Sequence, residues 1–277
     1  MIQLNTNLLK NIFLPILLIM SISSCRSTYY VPNDNILLQL KDKGDFEVSG
    51  SFFYASQEVR SSNNTRAVLP KETSSKSSVQ IGYSPIKHLG IVGTYSSSNN
   101  DNMNQSDLRS QGKIWQAAIG GYCFLRSKNN PNPNKGFLID TYIGYGTGGI
   151  STNYYSRGGL SELNFQQYFI QTGLYFKNTK YDIGLNFKKS FLNYYNTNIF
   201  FELTVDEILM VESVVENNPY NMNQLSMRVA SGFEKGKIFF TLNQLFNFDD
   251  ALMTQSPEAT FGVHLDLNKL LIKNLKG

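Results

Sequence analysis

From about residue 45 to residue 268 the chain repeats one pattern. Short segments rich in aromatic and β-branched residues alternate apolar and polar positions with period two, which predicts strands whose two faces meet different surroundings. Ten strands are predicted, at about 45–55, 77–84, 89–96, 113–125, 137–147, 163–176, 180–191, 223–233, 237–246 and 258–268. On the seventh, Tyr181, Ile183, Leu185 and Phe187 share one face and Asp182, Gly184, Asn186 and Lys188 the other. The tenth sets Phe261, Val263, Leu265 and Leu267 against Gly262, His264 and Asp266. The links alternate too. "SPIKHL", "RSKNNPNPNKG", "KNTK" and "EKGK" are short or built of turn residues. Between them lie longer polar stretches such as "SSSNNDNMNQSDLRSQG" and "TGGISTNYYSRGGL".

Period 3.6 replaces period two only once after the leader. In "ELTVDEILMVESVVENNP", Thr204 and Glu207 match a capping box and Asn217-Asn218-Pro219 ends the run, which predicts a helix over 204–216. Ile208, Val211 and Val215 fall on its apolar arc, with Glu202, Asp206, Glu212 and Glu216 opposite. Such a helix in an external loop must lay its apolar side on something: the barrel mouth, a partner or the membrane.

The first 24 residues carry one charge, Lys10, and an apolar run too short to span a bilayer, so they read as a signal peptide. The leader ends Ile22-Ser23-Ser24-Cys25, which resembles the lipobox of bacterial lipoproteins. That resemblance implies cleavage before Cys25 and acylation of its thiol, with residues 25–44 as a lipidated periplasmic tether. Cys123 is then left without a disulfide partner.

Composition narrows the environment. Charged residues are 17% of the chain, against roughly 25% in soluble domains, and aromatics are 13%. Net charge is +4, or +3 without the leader, with no basic cluster and no zinc spacing, so neither nucleic acid, a metal nor a cofactor is expected. The polar faces hold mainly small neutral residues (Ser49, Gln80, Gln116, Gln171, Gly173, Thr241), which suit a narrow interior better than a wet exterior. Phe46, Tyr54, Tyr83, Tyr145, Tyr168, Tyr175, Tyr181 and Phe233 suit interfacial girdles, and the turn lysines Lys87, Lys177, Lys180, Lys235 and Lys237 suit lipid headgroups.

Strand alternation, small polar faces and short-then-long links together resemble bacterial outer-membrane β-barrels. The resemblance implies an all-β fold: a closed antiparallel up-and-down transmembrane barrel of about ten strands over 45–268, one amphipathic helix in an external loop, and a tail over 269–277. One feature departs from that class, since "NKLLIKNLKG" continues past the last strand instead of ending on an aromatic residue.

If the polar face is the lumen, Glu47, Asp140, Asp182, Lys188, Arg228, His264 and Asp266 lie inside. Barrel closure should bring Glu47, His264 and Asp266 together, with Arg228 and Lys188 level on neighbouring strands and Asp182 below them. Such charges must be paired or hydrated. Ten strands leave a lumen filled by side chains, so a structural or interaction barrel is expected rather than an open porin. It would sit in the outer membrane of a Gram-negative envelope, anchored by lipid, contacting an envelope protein through its loops or the 204–216 helix. Two alternatives stand beside it. A lumenal lipid or ester hydrolase needs His264 beside a hydroxyl and a carboxylate. A soluble periplasmic lipocalin-like barrel needs Phe261, Val263 and Leu265 pointing inward.

Overall fold

The computed structural model describes residues 35–36, 38–58, 71–102, 108–126, 135–154, 158–178, 180–200, 203, 205–216, 218–233, 236–246 and 258–268. They form a closed barrel of ten antiparallel strands. In order these are β1 (Phe46–Glu58), β2 (Lys71–Tyr83), β3 (Leu89–Asn102), β4 (Leu108–Arg126), β5 (Gly136–Tyr154), β6 (Gly159–Lys177), β7 (Tyr181–Phe200), β8 (Tyr220–Phe233), β9 (Gly236–Phe246) and β10 (Glu258–Asp266). A helix, α1 (Val205–Glu216), joins β7 to β8. Each strand pairs with its sequence neighbours, and β1 pairs with β10 to close the ring. The even strand number places the start of β1 and the end of β10 at one end, here the near end; α1 lies at the far end.

All ten expected strands are present, but the wall is uneven. β4, β5 and β6 have 19 residues each and β7 has 20, whereas β9 has 11 and β10 has 9. Two stretches expected as long polar loops are mostly ladder. β3 and β4 stay paired up to Asn102 and Leu108, and β5 and β6 up to Tyr154 and Gly159. Those links are therefore shorter than the near-end link from Arg126 to Gly136, and link length does not alternate strictly. Ser, Thr and Asn hold the ladder here because neighbours pair on both sides; strand preference depends on context.

The outside of the barrel is banded. On β5 the outward residues run Phe137, Ile139, Thr141, Ile143, Tyr145, and then Thr147, Ser151 and Asn153; on β6 they run Phe176, Leu174, Thr172, Ile170, Tyr168, and then Gln166, Asn164 and Glu162. β4 changes character at Trp115, beyond which Lys113, Gln111 and Arg109 face outward. Each apolar stretch matches the about 9 to 11 residues that a tilted strand needs to cross hydrocarbon. Aromatic pairs mark its far edge: Tyr95 against Trp115 with ring centroids 4.3 Å apart, and Tyr145 against Tyr168 at 5.1 Å. Phe46–Tyr83 at 6.4 Å and Phe137–Phe176 at 5.3 Å mark its near edge. Of the residues expected in girdles, Tyr54, Tyr83, Tyr145 and Tyr168 are exposed, but Tyr175 points inward and is fully buried. The side chain of Phe233 lies outside the described residues.

Beyond the band the strands invert. Ile114, Ile150, Leu163, Phe165, Leu192 and Tyr194 point inward at the far end and pack with Val211 and Val214 of α1 into the largest apolar cluster among the described residues. A bulge helps seat it, since Tyr195 is skipped between the Asn164–Asn196 and Phe165–Tyr194 pairs. Phe165 and Tyr194 meet edge-on at 5.7 Å. α1 is tied down at its end. Asn218 Nδ2 donates to Val215 O (2.8 Å) and Tyr194 O (2.7 Å), and Tyr220 OH donates to Val214 O (2.8 Å).

Candidate functional site

The lumen within the apolar band is the candidate site, and it already has an occupant. Gly44 donates its N–H to Ser84 O in the β2–β3 turn (2.7 Å), and Asp45 accepts the N–H groups of Lys41 (2.8 Å) and Asp42 (3.0 Å). Burial pushes the Asp45 carboxyl up, against those two donors, which lower it. This turn sends the preceding residues back into the barrel. Residues 35, 36 and 38–40, expected as part of a tether outside it, lie in the lumen: Ile36, Leu38 and Leu40 are at most 1% exposed. Leu40 packs with Tyr122, Leu138 and Tyr175; Ile36 and Leu38 pack with Val92, Ala118, Tyr142 and Phe169.

The polar lumen residues hold the backbone of this segment, which forms no sheet ladder of its own. Gln171 bonds it in both directions, accepting from Ile36 N (2.8 Å) and donating to Ile36 O (2.9 Å). Gln80 donates to Asn35 O (2.8 Å), Glu47 accepts from Gln39 N (2.8 Å), and Lys177 donates to Gln39 O (3.2 Å). Asn35 also donates to Ser226. A glycine makes room for the segment: a Cβ on Gly82 would come within 2.5 Å of Leu38 Cδ1. Gly184 does the same for the wall, where a Cβ would meet the ring of Tyr175 at 2.2 Å.

Six of the seven expected lumen charges, Glu47, Asp140, Asp182, Lys188, Arg228 and His264, point inward and are buried; Asp266 is half-buried at the near rim. Glu47 and His264 approach to 3.5 Å, and Glu47 stands opposite Asp266 across the closing strand pair. Arg228 and Lys188 are not level. Arg228 stands opposite Gly184, and Lys188 stands opposite Gln224, further toward the far end. Each cation covers an aromatic face instead: Lys188 Nζ lies 4.4 Å from the centre of Phe169 and Arg228 Cζ 4.5 Å from that of Phe239. Asp182 pairs with Lys237, which with Lys177 was expected at headgroups and instead points inward. Lys177 is the last residue of β6 and Lys237 the second of β9, both on the inward parity of the strand. Parity, which was legible, outranks closeness to a turn.

His264 and Glu47 supply two parts of a hydrolytic constellation. Among the described residues no hydrogen bond joins His264 to a hydroxyl, and Glu47 is engaged by Gln39. Phe261 (61% exposed) and Val263 (42%) point outward, so the inward-facing apolar lining of a lipocalin-like barrel is absent from β10. Of the expected helix residues, Val211 is buried, Ile208 and Val215 are half-buried, and the side chain of Glu207 is not described; Thr204 and Cys25 lie outside the described residues. The signal in the sequence that identifies the occupant is Ile36-Leu37-Leu38-Gln39-Leu40, an apolar run broken only by Gln39, which a solvated tether would not need.

No family model matches the sequence, and no curated protein matches it. Solved structures that resemble this one are bacterial outer-membrane barrels. The translocator domain of autotransporter NalP from Neisseria meningitidis aligns over 80% of this chain and 87% of its own, with 9% identity and a TM-score of 0.43. The outer-membrane protease OmpT from Escherichia coli aligns over 83% and 96%, with 9% identity and a TM-score of 0.40. Neisserial surface protein A (NspA) aligns over 82% and 99%, with 10% identity and a TM-score of 0.35.

Proposed function

We propose that this chain is a lipid-anchored outer-membrane barrel that serves as a structural or interaction module and does not conduct as an open pore. The observation that carries the reading is one cross-section. The wall at Ile143 and Ile170 faces outward into an apolar band, while at the same height Tyr142, Gln171 and Ile36 close the interior. In this reading the near end, with its short β2–β3, β6–β7 and β8–β9 turns, faces the periplasm, and the far end faces outward. Cys25 carries the lipid. The external surface that meets a partner envelope protein includes α1, where Val205 (71%) and Leu209 (56%) are exposed.

Two measurements test it. Unboiled protein from outer-membrane fractions should migrate faster than boiled protein on a gel, and the intact protein in planar bilayers should show no steady conductance. Release of the body into solution on removing the lipid would overturn the membrane reading. A stable open channel in the intact protein would overturn the closed-lumen reading.

A further inference from the structure

We propose that the outer wall just beyond Trp115 seats an anionic, phosphate-bearing lipid headgroup, with Lys113 as its cation. This rests on the reading that the chain spans a membrane; in the orientation given above, the leaflet concerned is the external one. Lys113 is the outward residue of β4 that follows Trp115 toward the far end, and it is exposed. Its height is fixed by the aromatic pair beneath it. Trp115, 62% exposed, lies against Tyr95 with ring centroids 4.3 Å apart, at the far edge of the apolar band. Aromatic residues at such an edge settle at headgroup level. A lysine one outward step further on lays its methylene stem along the wall and holds its ammonium among the headgroups.

The row of the sheet that carries Lys113 suits an anion. Across the ladder it runs Ser77, Ser97, Lys113, Gly149, Asn164, and all but the lysine are neutral. Among the described residues no ion pair engages Lys113. The carboxylates on this wall stand further out: Asp101 of β3 is held by Arg109, and Glu162 of β6 lies one row beyond, opposite Ser151. Between Lys113 and Asn164 the wall offers only the backbone of Gly149, across two strand spacings or about 10 Å. Asn164 leans over that gap, since a Cβ on Gly149 would come within 2.8 Å of Asn164 Oδ1. A phosphate lying on Gly149 therefore meets an ammonium on one side and a side-chain amide on the other.

What lies below the row makes the ligand a lipid. Beneath Trp115 comes Ala117, paired with Gly93 on one side and Tyr145 on the other, and beneath Ala117 comes the exposed Ile119. An acyl chain hanging from the headgroup runs down this set-back, apolar strip. Charge and chain in one molecule match cation and band in one wall.

Trp115 is the single tryptophan of the chain, so the site carries its own reporter. Full-length protein is inserted into phosphatidylcholine vesicles in which a minor component, either phosphatidate or phosphatidylcholine itself, bears brominated acyl chains that quench tryptophan. At equal fractions, brominated phosphatidate should occupy the contact with Trp115 about fivefold more than brominated phosphatidylcholine, the preference one basic residue gives near a headgroup. Lys113→Gln should bring the two lipids to parity. Gly149→Val, which keeps the charge and fills the seat, should do the same in a barrel that still shifts on heating. Lys189→Gln, on β7, changes a cation whose Nζ lies 5.4 Å from the centre of the Phe191 ring, and should leave the preference intact. Equal quenching in the unsubstituted chain, or a preference that survives Lys113→Gln or Gly149→Val, would overturn the site and leave the membrane reading in place. Removal of the preference by excess inorganic phosphate at constant ionic strength would assign the seat to the free anion and overturn the lipid. Quenching by neither lipid would contradict the membrane reading itself.

Discussion

The same strands build two different proteins, one above the other. Toward the near end, β5 and β6 put Ile143, Ile170 and Leu174 outside and Asp140, Gln171 and Gly173 inside. Toward α1 they put Thr147, Glu162 and Asn164 outside and Ile150, Leu163 and Phe165 inside. The period of two never breaks along these strands; what changes is the solvent around them. Where lipid surrounds the wall, apolar side chains gain by facing out, and polar groups are left to face a narrow interior that must satisfy them. Where water surrounds the wall, the hydrophobic effect resumes its usual direction and makes a core inside the barrel. The near half therefore needs an internal polar partner, which Asn35, Ile36 and Gln39 supply, and the far half needs an apolar lid, which α1 supplies.

Substitutions at matched positions separate the halves. The largest effect is expected at Phe165, fully buried in the far cluster: Phe165→Ala should cost about 3–5 kcal/mol in denaturant unfolding from lipid vesicles. Ile143→Lys, at the middle of the outward band, comes next at about 2–4 kcal/mol. Gln171→Ala removes both hydrogen bonds to Ile36 and should cost about 1–3 kcal/mol. Its more telling readout is transient conductance in planar bilayers, since the segment loses its main hold. Ser151→Lys, outward on the far half of β5, should change stability by less than about 0.5 kcal/mol. Equal costs for Ile143→Lys and Ser151→Lys would erase the distinction between the halves.

Strand number, facing and closure were legible because period two survives in every strand, as Tyr181 to Lys188 illustrates. Strand length was not. Above the band, "SSSNND" and "TGGISTNY" lack apolar outward residues and resemble loops, although they continue the ladder to Asn102 and Tyr154. The inward charges were legible by parity, but their partners were not, because pairing depends on register and on a segment from elsewhere in the chain. Lys237 meets Asp182 from two strands away, and Glu47 meets the amide of Gln39. Neither contact follows from local pattern. The occupied lumen left one trace, the apolar run from Ile36 to Leu40, which the closed barrel explains.

A single wall thus passes from lipid to water partway along its strands. The most direct measurement places a fluorophore at successive outward positions of β6, from Glu162 to Phe176, in the Cys123→Ser background in vesicles, and compares quenching by brominated lipid with quenching by aqueous iodide. Lipid quenching is expected from Phe176 through Ile170, a crossover at Tyr168, and iodide quenching from Gln166 to Glu162. Uniform iodide quenching along the whole strand would show a barrel that stands in water, and uniform lipid quenching would show that the far half is not set apart at all.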